Sequence, residues 1–405
     1  AQVAESYLNE LANRRLIQVT KKYPDGRLET FSIHNLWYEI VLSKSREEIR
    51  KPRKARHLVI TDKLAIDMQD IDRFKHLHSL ISLGYSFTNS FLLKLLTGSF
   101  KLVKVLDLPG APLVNIPEEF FELVHLKFLN LRNTEIRTLP RSIQKLESLE
   151  FLDLRKTLVD KLPDEILRLQ HLRHVLVYRW GSSGFSHGFK APEKIGTMVS
   201  LEMMNLINAT TSIVVELGKL TRLRTLNIAK LRKKHGKYLC SSLDKLINLE
   251  QLSVSSCEVN DIIDLHYPLS CTHSSLRILV LEGCLERFPQ WVTSLHALAV
   301  VHLKWSKLTD NTLQETLQDL PNLVKLVLDQ AYEGEELSFK ANGFKKLKDL
   351  SFRHFTKLRR IKLEEGAMPY LPCGTSIARL QIDGGFSLRD RAFEKASVSF
   401  TGTNA

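Results

Sequence analysis

One phrase recurs along this chain at a fixed step. It places apolar residues at its first, fourth and sixth positions: Val103, Leu106 and Leu108; Leu126, Leu129 and Leu131; Leu149, Leu152 and Leu154; Leu172, Val175 and Val177. The four copies lie 23 residues apart. Apolar residues at alternate places predict a short strand with one buried face. Behind three of these strands comes Ile116-Pro117, Leu139-Pro140 or Leu162-Pro163, and then a stretch with helical spacing. Proline suits the first turn of a helix, where its missing N–H costs nothing. One strand and one helical turn cannot bury an apolar face alone, but stacked neighbours can. The phrase therefore predicts a linear array whose core is a continuous stack of leucines.

A period of this length with this spacing is the signature of the leucine-rich repeat. Looser copies begin at Ala55, Leu77, Leu201, Leu223, Leu249, Leu276, Leu298, Leu323, Leu347 and Ile377. The total is about fourteen repeats. The expected fold class is α/β: a curved, horseshoe-like solenoid with its strands on the concave side. An extra phrase, Leu358, Ile361 and Leu363, follows its neighbour too closely for its register to be read. A chain that is 43% hydrophobic and 25% charged can fill such a core and is not of the disordered class. No run of 18 apolar residues exists, so no membrane-spanning segment is expected. The opening residues carry neither Met nor a signal-peptide pattern, and the chain reads as a fragment. Its five cysteines are odd in number and include no C-x-x-C pair, which suits a reducing compartment. Cys257 and Cys284 fall in the Asn/Cys place of the motif, where a small polar side chain satisfies backbone groups.

Residues 1–54 do not follow the period. They read as a helix ending near Arg14, a hairpin around Asp25-Gly26, and an amphipathic helix with Leu36, Ile40 and Val41 inward. That order is the back half of a winged helix. Lys44 to Arg56 then holds seven basic and two acidic residues, or +5 of the net +13. The expected divisions are 1–43, a partial winged helix; 44–56, a basic linker; 57–385, the repeats; and 386–405, a tail. With "YLNELANRRLIQV", "FSIHNLWYEIVLSKSREE", "KARHLVI" and the Leu-Pro repeats in this order, the chain resembles the plant intracellular coiled-coil, nucleotide-binding, leucine-rich-repeat disease-resistance receptors. The resemblance runs from the end of their winged-helix subdomain through their repeats. It implies that His34, in a Met-His-Asp-like triplet reading Ile33, His34, Asn35, faces the phosphates of ADP in an intact receptor. Asn35 departs from that pattern. No G-x-x-x-x-G-K-[ST] loop occurs, so no cofactor is expected in the fragment itself, and ADP or ATP is expected only in the intact receptor.

Gly184-Phe185-Ser186-His187-Gly188 matches a nucleophile elbow, but in a gap between repeats it reads as a surface loop, and no enzyme is expected. Asn208-Ala209-Thr210 is a lone glycosylation sequon. A sequence pI near 9.4 raises nucleic acid. The charge gathers in the linker, however, and direct nucleic-acid binding is not expected. The residue after the third apolar place of each phrase should face outward on the concave side: Pro109, Arg132, Arg155, Tyr178, Ile207, Ala229, Ser255, Glu282, Lys304, Asp329 and Arg353. Arg132, Arg155, Tyr178, Arg179 and Trp180 form the expected partner-binding surface, since Arg and aromatic residues anchor interfaces. The implied function is a cytoplasmic recognition and autoinhibitory module. Its partners would be a pathogen effector or a guarded host protein, and the receptor's own nucleotide-binding domain. The rival reading is a cytosolic scaffold that regulates a signalling enzyme.

Overall fold

In the computed structural model the described residues are 17–22, 28–33, 56–60, 76–82, 100–180, 186–269, 275–309, 312–371 and 398–399. The chain divides into two compact units, Ala1–Trp180 and Gly181–Ala405. The first unit opens with an antiparallel strand pair, Ile17–Lys22 and Leu28–Ile33, where the hairpin is expected. The Asp25-Gly26 turn and the flanking helices lie outside the described residues, as do His34 and Asn35.

The rest of the first unit is a parallel ladder of His57–Ile60, Ser79–Ser82, Val105–Asp107, Phe128–Asn130, Phe151–Asp153 and His174–Leu176, in chain order. Each strand pairs with the next in strict register, so that Leu106, Leu129, Leu152 and Val175 stand side by side. All four are at most 1% exposed. Parallel neighbours need a return path. For the three returns that follow Val105–Asp107, Phe128–Asn130 and Phe151–Asp153, the path is a single 3-10 turn: Glu118–Glu122, Arg141–Lys145 or Asp164–Arg168. Pro117, Pro140 and Pro163 sit just outside these turns in extended conformation, not in a first helical turn. An extended proline leaves room for only one turn before the next strand. Buried Phe120, Ile143 and Ile166 back the leucine stack from that side.

Seven strands repeat the pattern in the second unit: Met203–Asn208, Thr225–Leu231, Gln251–Ser256, Ile278–Glu282, Val300–Lys304, Lys325–Asp329 and Asp349–Arg353. Thirteen of the expected repeats thus each open two residues before a strand of the ladder. The copy at Ile377 lies outside the described residues. Three returns that lack the Leu-Pro pair are true α-helices, Thr211–Leu217, Gly236–Leu243 and Thr312–Leu317. Thr210 caps the first of these, its hydroxyl accepting from the Ile213 N–H at 3.1 Å.

One open register is now placed and one reading is corrected. The Leu358–Ile361–Leu363 phrase does not join the main ladder. Its strand Arg360–Leu363 pairs in parallel with Glu336–Phe339, forming a second small sheet beyond the strands. Ile207 and Ala229 do not face outward; they are 0% and 2% exposed. At Leu206 the backbone turns left-handed (φ 51°) and the pairing slips by one. The added residue moves Ile207 into the core, as a bulge does. Ser255 and Asp329, also expected to face solvent, are 9% and 8% exposed.

Candidate partner-binding surface

Each phrase presents three outward columns, because residues two apart on a strand share a face. In the first unit the last column holds Pro109, Arg132, Arg155 and Tyr178. Their backbones are tied in register: the carbonyls of Arg132, Arg155 and Tyr178 accept from the N–H groups of Gly110, Asn133 and Lys156 at 2.7, 2.8 and 2.8 Å. Gly110, Asn133 and Lys156 are all left-handed, with φ of 71°, 60° and 59°. That conformation turns the chain off the ladder just after each outward side chain. Arg132, Arg155 and Tyr178 are therefore neighbours in one file, as expected. Arg179 is half-buried in the two-residue strand that follows, Arg179–Trp180. The side chain of Trp180 lies outside those described.

The other two columns escaped the sequence reading. The middle one holds Asp107, Asn130 and Asp153. Asn130 donates to the Asp107 carboxylate at 2.7 Å. The side chains of Asn130 and Asp153 also accept from the backbone N–H of Arg132 and Arg155, each at 2.9 Å. Burial pushes the Asp107 pKa up, against the Asn130 hydrogen bond that lowers it. Asp153 is 1% exposed and is gripped by its neighbour: Arg155 donates from Nε at 2.9 Å and from an Nη at 2.6 Å. That hydrogen bond raises the Arg155 pKa. Arg155 is thus a neutralised member of the face. Arg132 and Arg179 have no side-chain partner among the described residues.

The first column is aromatic. Phe128 and Phe151 stack with centroids 4.4 Å apart and planes 8° apart, and His174 continues the row at 5.6 Å. The stack turns ring faces toward one another and ring edges outward. Such edges are electropositive. The signal was legible: Phe128, Phe151 and His174 recur at the same 23-residue step, one place before the middle leucine.

The second unit has a different face. Its last column alternates in sign, Glu282, Lys304, Asp329, Arg353, each beside the next in register. Asp329 also bonds His354 Nδ1 at 2.7 Å. This column neutralises itself.

The remaining motifs are built into local structure where they are described. Ser186–His187 is a short strand that runs on to Phe189, whose N–H donates to the Leu206 carbonyl. The next helical element is the 3-10 turn Ile195–Thr197, so no helix opens directly from Gly188 as a nucleophile elbow requires. Asn208 donates to the Gly188 carbonyl at 3.2 Å and Thr210 serves as a helix cap, so the sequon is tied into structure. Cys240 is buried and its thiol is pushed up to about 12. Cys257 and Cys284 are free and half-buried. The backbone-satisfying role expected at their place is filled in the first unit by threonines. Thr134 and Thr157 donate to the Leu131 and Leu154 carbonyls at 2.9 and 2.7 Å. No group of three or more His, Cys, Asp or Glu able to hold a metal occurs among the described residues. No helix among them is long and apolar enough to cross a membrane.

The family model for the leucine-rich repeat region matches residues 76–382. The chain belongs to the leucine-rich-repeat family. This leucine-rich-repeat chain is similar to the disease resistance protein RPM1 of Arabidopsis thaliana, with 36% identity over 91% of the chain and 41% of that protein. It is 25% identical to the probable disease resistance protein RF9 of the same plant, over 91% of the chain and 37% of that protein. The chain spans about two fifths of the length of these relatives. Among solved structures, a leucine-rich-repeat protein of Leptospira interrogans aligns with TM-score 0.54 at 18% identity, over 80% of this chain and 91% of that one. An internalin of Listeria monocytogenes aligns with TM-score 0.54 at 14% identity, over 82% and 92%. These two share the fold.

Proposed function

We propose that this leucine-rich-repeat chain is the recognition module of a plant immune receptor. The reading is carried by the likeness to a plant disease resistance protein at 36% identity along 91% of the chain. The module senses a pathogen effector, directly or through a guarded host protein, in the cytoplasm. Its contact surface is the outward face of the first unit. There Phe128, Phe151, Tyr178, Arg132 and Arg179, the two arginines having no side-chain partner among the described residues, supply the aromatic and guanidinium anchors that dominate interfaces. ADP or ATP belongs to the intact receptor, with His34 toward its phosphates. The same face also restrains the receptor's nucleotide-binding domain at rest, and a ligand that prefers the released state shifts the population towards it.

The test reverses charge without breaking the fold. Arg155 is unsuitable, because its loss strands the buried Asp153. Arg132→Glu with Arg179→Glu leaves every described contact in place. In the intact receptor, signalling without a pathogen supports the restraining role, and loss of the response to the pathogen supports the sensing role. A correctly folded double variant that behaves as wild type overturns the surface.

A further inference from the structure

The second unit carries a separate site on its flank, away from the outward columns. A cavity of about 550 Å³ is lined by the apolar side chains Ile263, Leu265 and Phe288 and by Gln290, and its charged walls are Asp264, Glu286 and Arg287, with His266 beside them. That size lies within the usual range of ligand clefts, roughly 300–1,000 Å³. The three apolar residues are at most 3% exposed and form a closed floor.

A basic turn borders this cavity. Between the strand ending at Leu231 and the helix Gly236–Leu243 the chain reads Arg232-Lys233-Lys234-His235, with Lys230 before it and Lys237 after. All of these except His235 are exposed. Two contacts tie the turn to the cavity. Lys233 Nζ meets the Glu286 carboxylate at 2.5 Å, across 53 residues of sequence. Gly236 packs so tightly that a Cβ there would lie 1.7 Å from the Asp264 carbonyl oxygen.

Pairing then decides the charge of the site. Glu286 is paired with Lys233, and Asp264 is held by a contact with His266. Lys230, Lys234, Lys237 and Arg287 have no side-chain hydrogen bond or ion pair among the described residues, and Arg287 lies within electrostatic reach of Glu286. The helix offers no acidic residue in its first turn, where cations are disfavoured by its dipole. Surplus positive charge therefore lies on the turn beside the cavity, and Arg287 carries it into the wall. Neutral ligands leave the cations unanswered, and purely polar anions leave the floor unused. We propose that this flank docks an acidic protein segment that inserts one aromatic or aliphatic anchor into the cavity. The carboxylates beside the anchor pair with Lys234, Lys237 and Arg287.

The experiment uses the full chain and a fluorescent peptide with one central phenylalanine among glutamates. Anisotropy should show binding that weakens as salt rises. Lys234→Glu with Lys237→Glu should weaken it by about tenfold or more, since like charges then oppose. Gln290→Trp, which fills the cavity mouth, should weaken the phenylalanine peptide but not a version with alanine in its place. Arg132→Glu with Arg179→Glu should change nothing, so the flank stands or falls apart from the face of the first unit. Equal binding of the phenylalanine and alanine peptides overturns the anchor. Unchanged binding by the lysine reversals overturns the site. Binding to phosphatidylserine-containing vesicles with none to the peptide overturns the protein-segment assignment.

Discussion

Single side chains here do two different jobs, and substitution separates them. Leu129 is 0% exposed in the middle of the leucine stack. Leu129→Ala should cost roughly 2–5 kcal/mol and lower the thermal midpoint, because neighbouring repeats cannot close the gap fully. Arg155 works through charge. Its removal leaves the carboxylate of Asp153 buried without its cation, which costs about 3–5 kcal/mol for a fully buried pair. Arg155 keeps 29% of its side chain exposed, so the lower end applies. Arg132→Ala, one repeat earlier in the same file, should be nearly silent in the same melt. His302 supplies a pH signature. Burial lowers its pKa below the ordinary 6.5, and its Nε2 is buried without a hydrogen bond. The unfolded chain then binds a proton at a higher pH than the folded one. Stability from this site is present above pH 6.5 and is lost as pH falls through the lowered folded value. Denaturant melts between neutral and mildly acidic pH should show the decline, and His302→Asn should flatten it.

At the scale of the element, the strand ends set the geometry. Lys156 is left-handed at φ 59°, a conformation that costs a side-chain-bearing residue roughly 1–2 kcal/mol. Lys156→Val should destabilise by more than this through its branched Cβ, whereas Lys156→Gly should be neutral or mildly stabilising. Equal melts for the two would mean that this turn does not govern the strand exit. The aromatic row gives a second measure. A double-mutant cycle on Phe128 and Phe151 should return a coupling of about 0.5–1.5 kcal/mol in chemical unfolding. A coupling near zero would mean the rings do not meet in solution.

Over the whole molecule, stability should follow the period and not the length. Each repeat contacts mainly its neighbours, so repeat and interface terms roughly add. Excising residues 126–148 removes one full step and puts the Leu149 phrase in the place of the Leu126 phrase. That chain should still fold cooperatively by circular dichroism. Excising half a step puts outward residues in the leucine stack and should leave the first unit unfolded. Survival of the half-step deletion would show that the register is not what holds the ladder together.

The repeats and their starting residues were legible from sequence, because burial on alternate strand places leaves a period that no other constraint imitates. The stacking of Arg132, Arg155 and Tyr178 followed from the same count. What the count could not supply was anything decided by contacts across repeats. The slip at Leu206 arises from a left-handed backbone that has no composition of its own, and it reversed the sense of Ile207. The Arg360–Leu363 strand obeys the apolar pattern but joins a different sheet, since pattern fixes which face is apolar and not which partner covers it. Arg155 counted as a free cation until Asp153 lay buried beneath it. The basic turn at residues 230–237 looks like an ordinary solvated run until Lys233 is seen bonded to Glu286 at the rim of a cavity. Periodicity reports burial, which is local along a repeating chain. Charge balance and cavities depend on which side chains are buried and which meet, whether 2 positions apart like Asp153 and Arg155 or 53 apart like Lys233 and Glu286, and only the folded chain decides that.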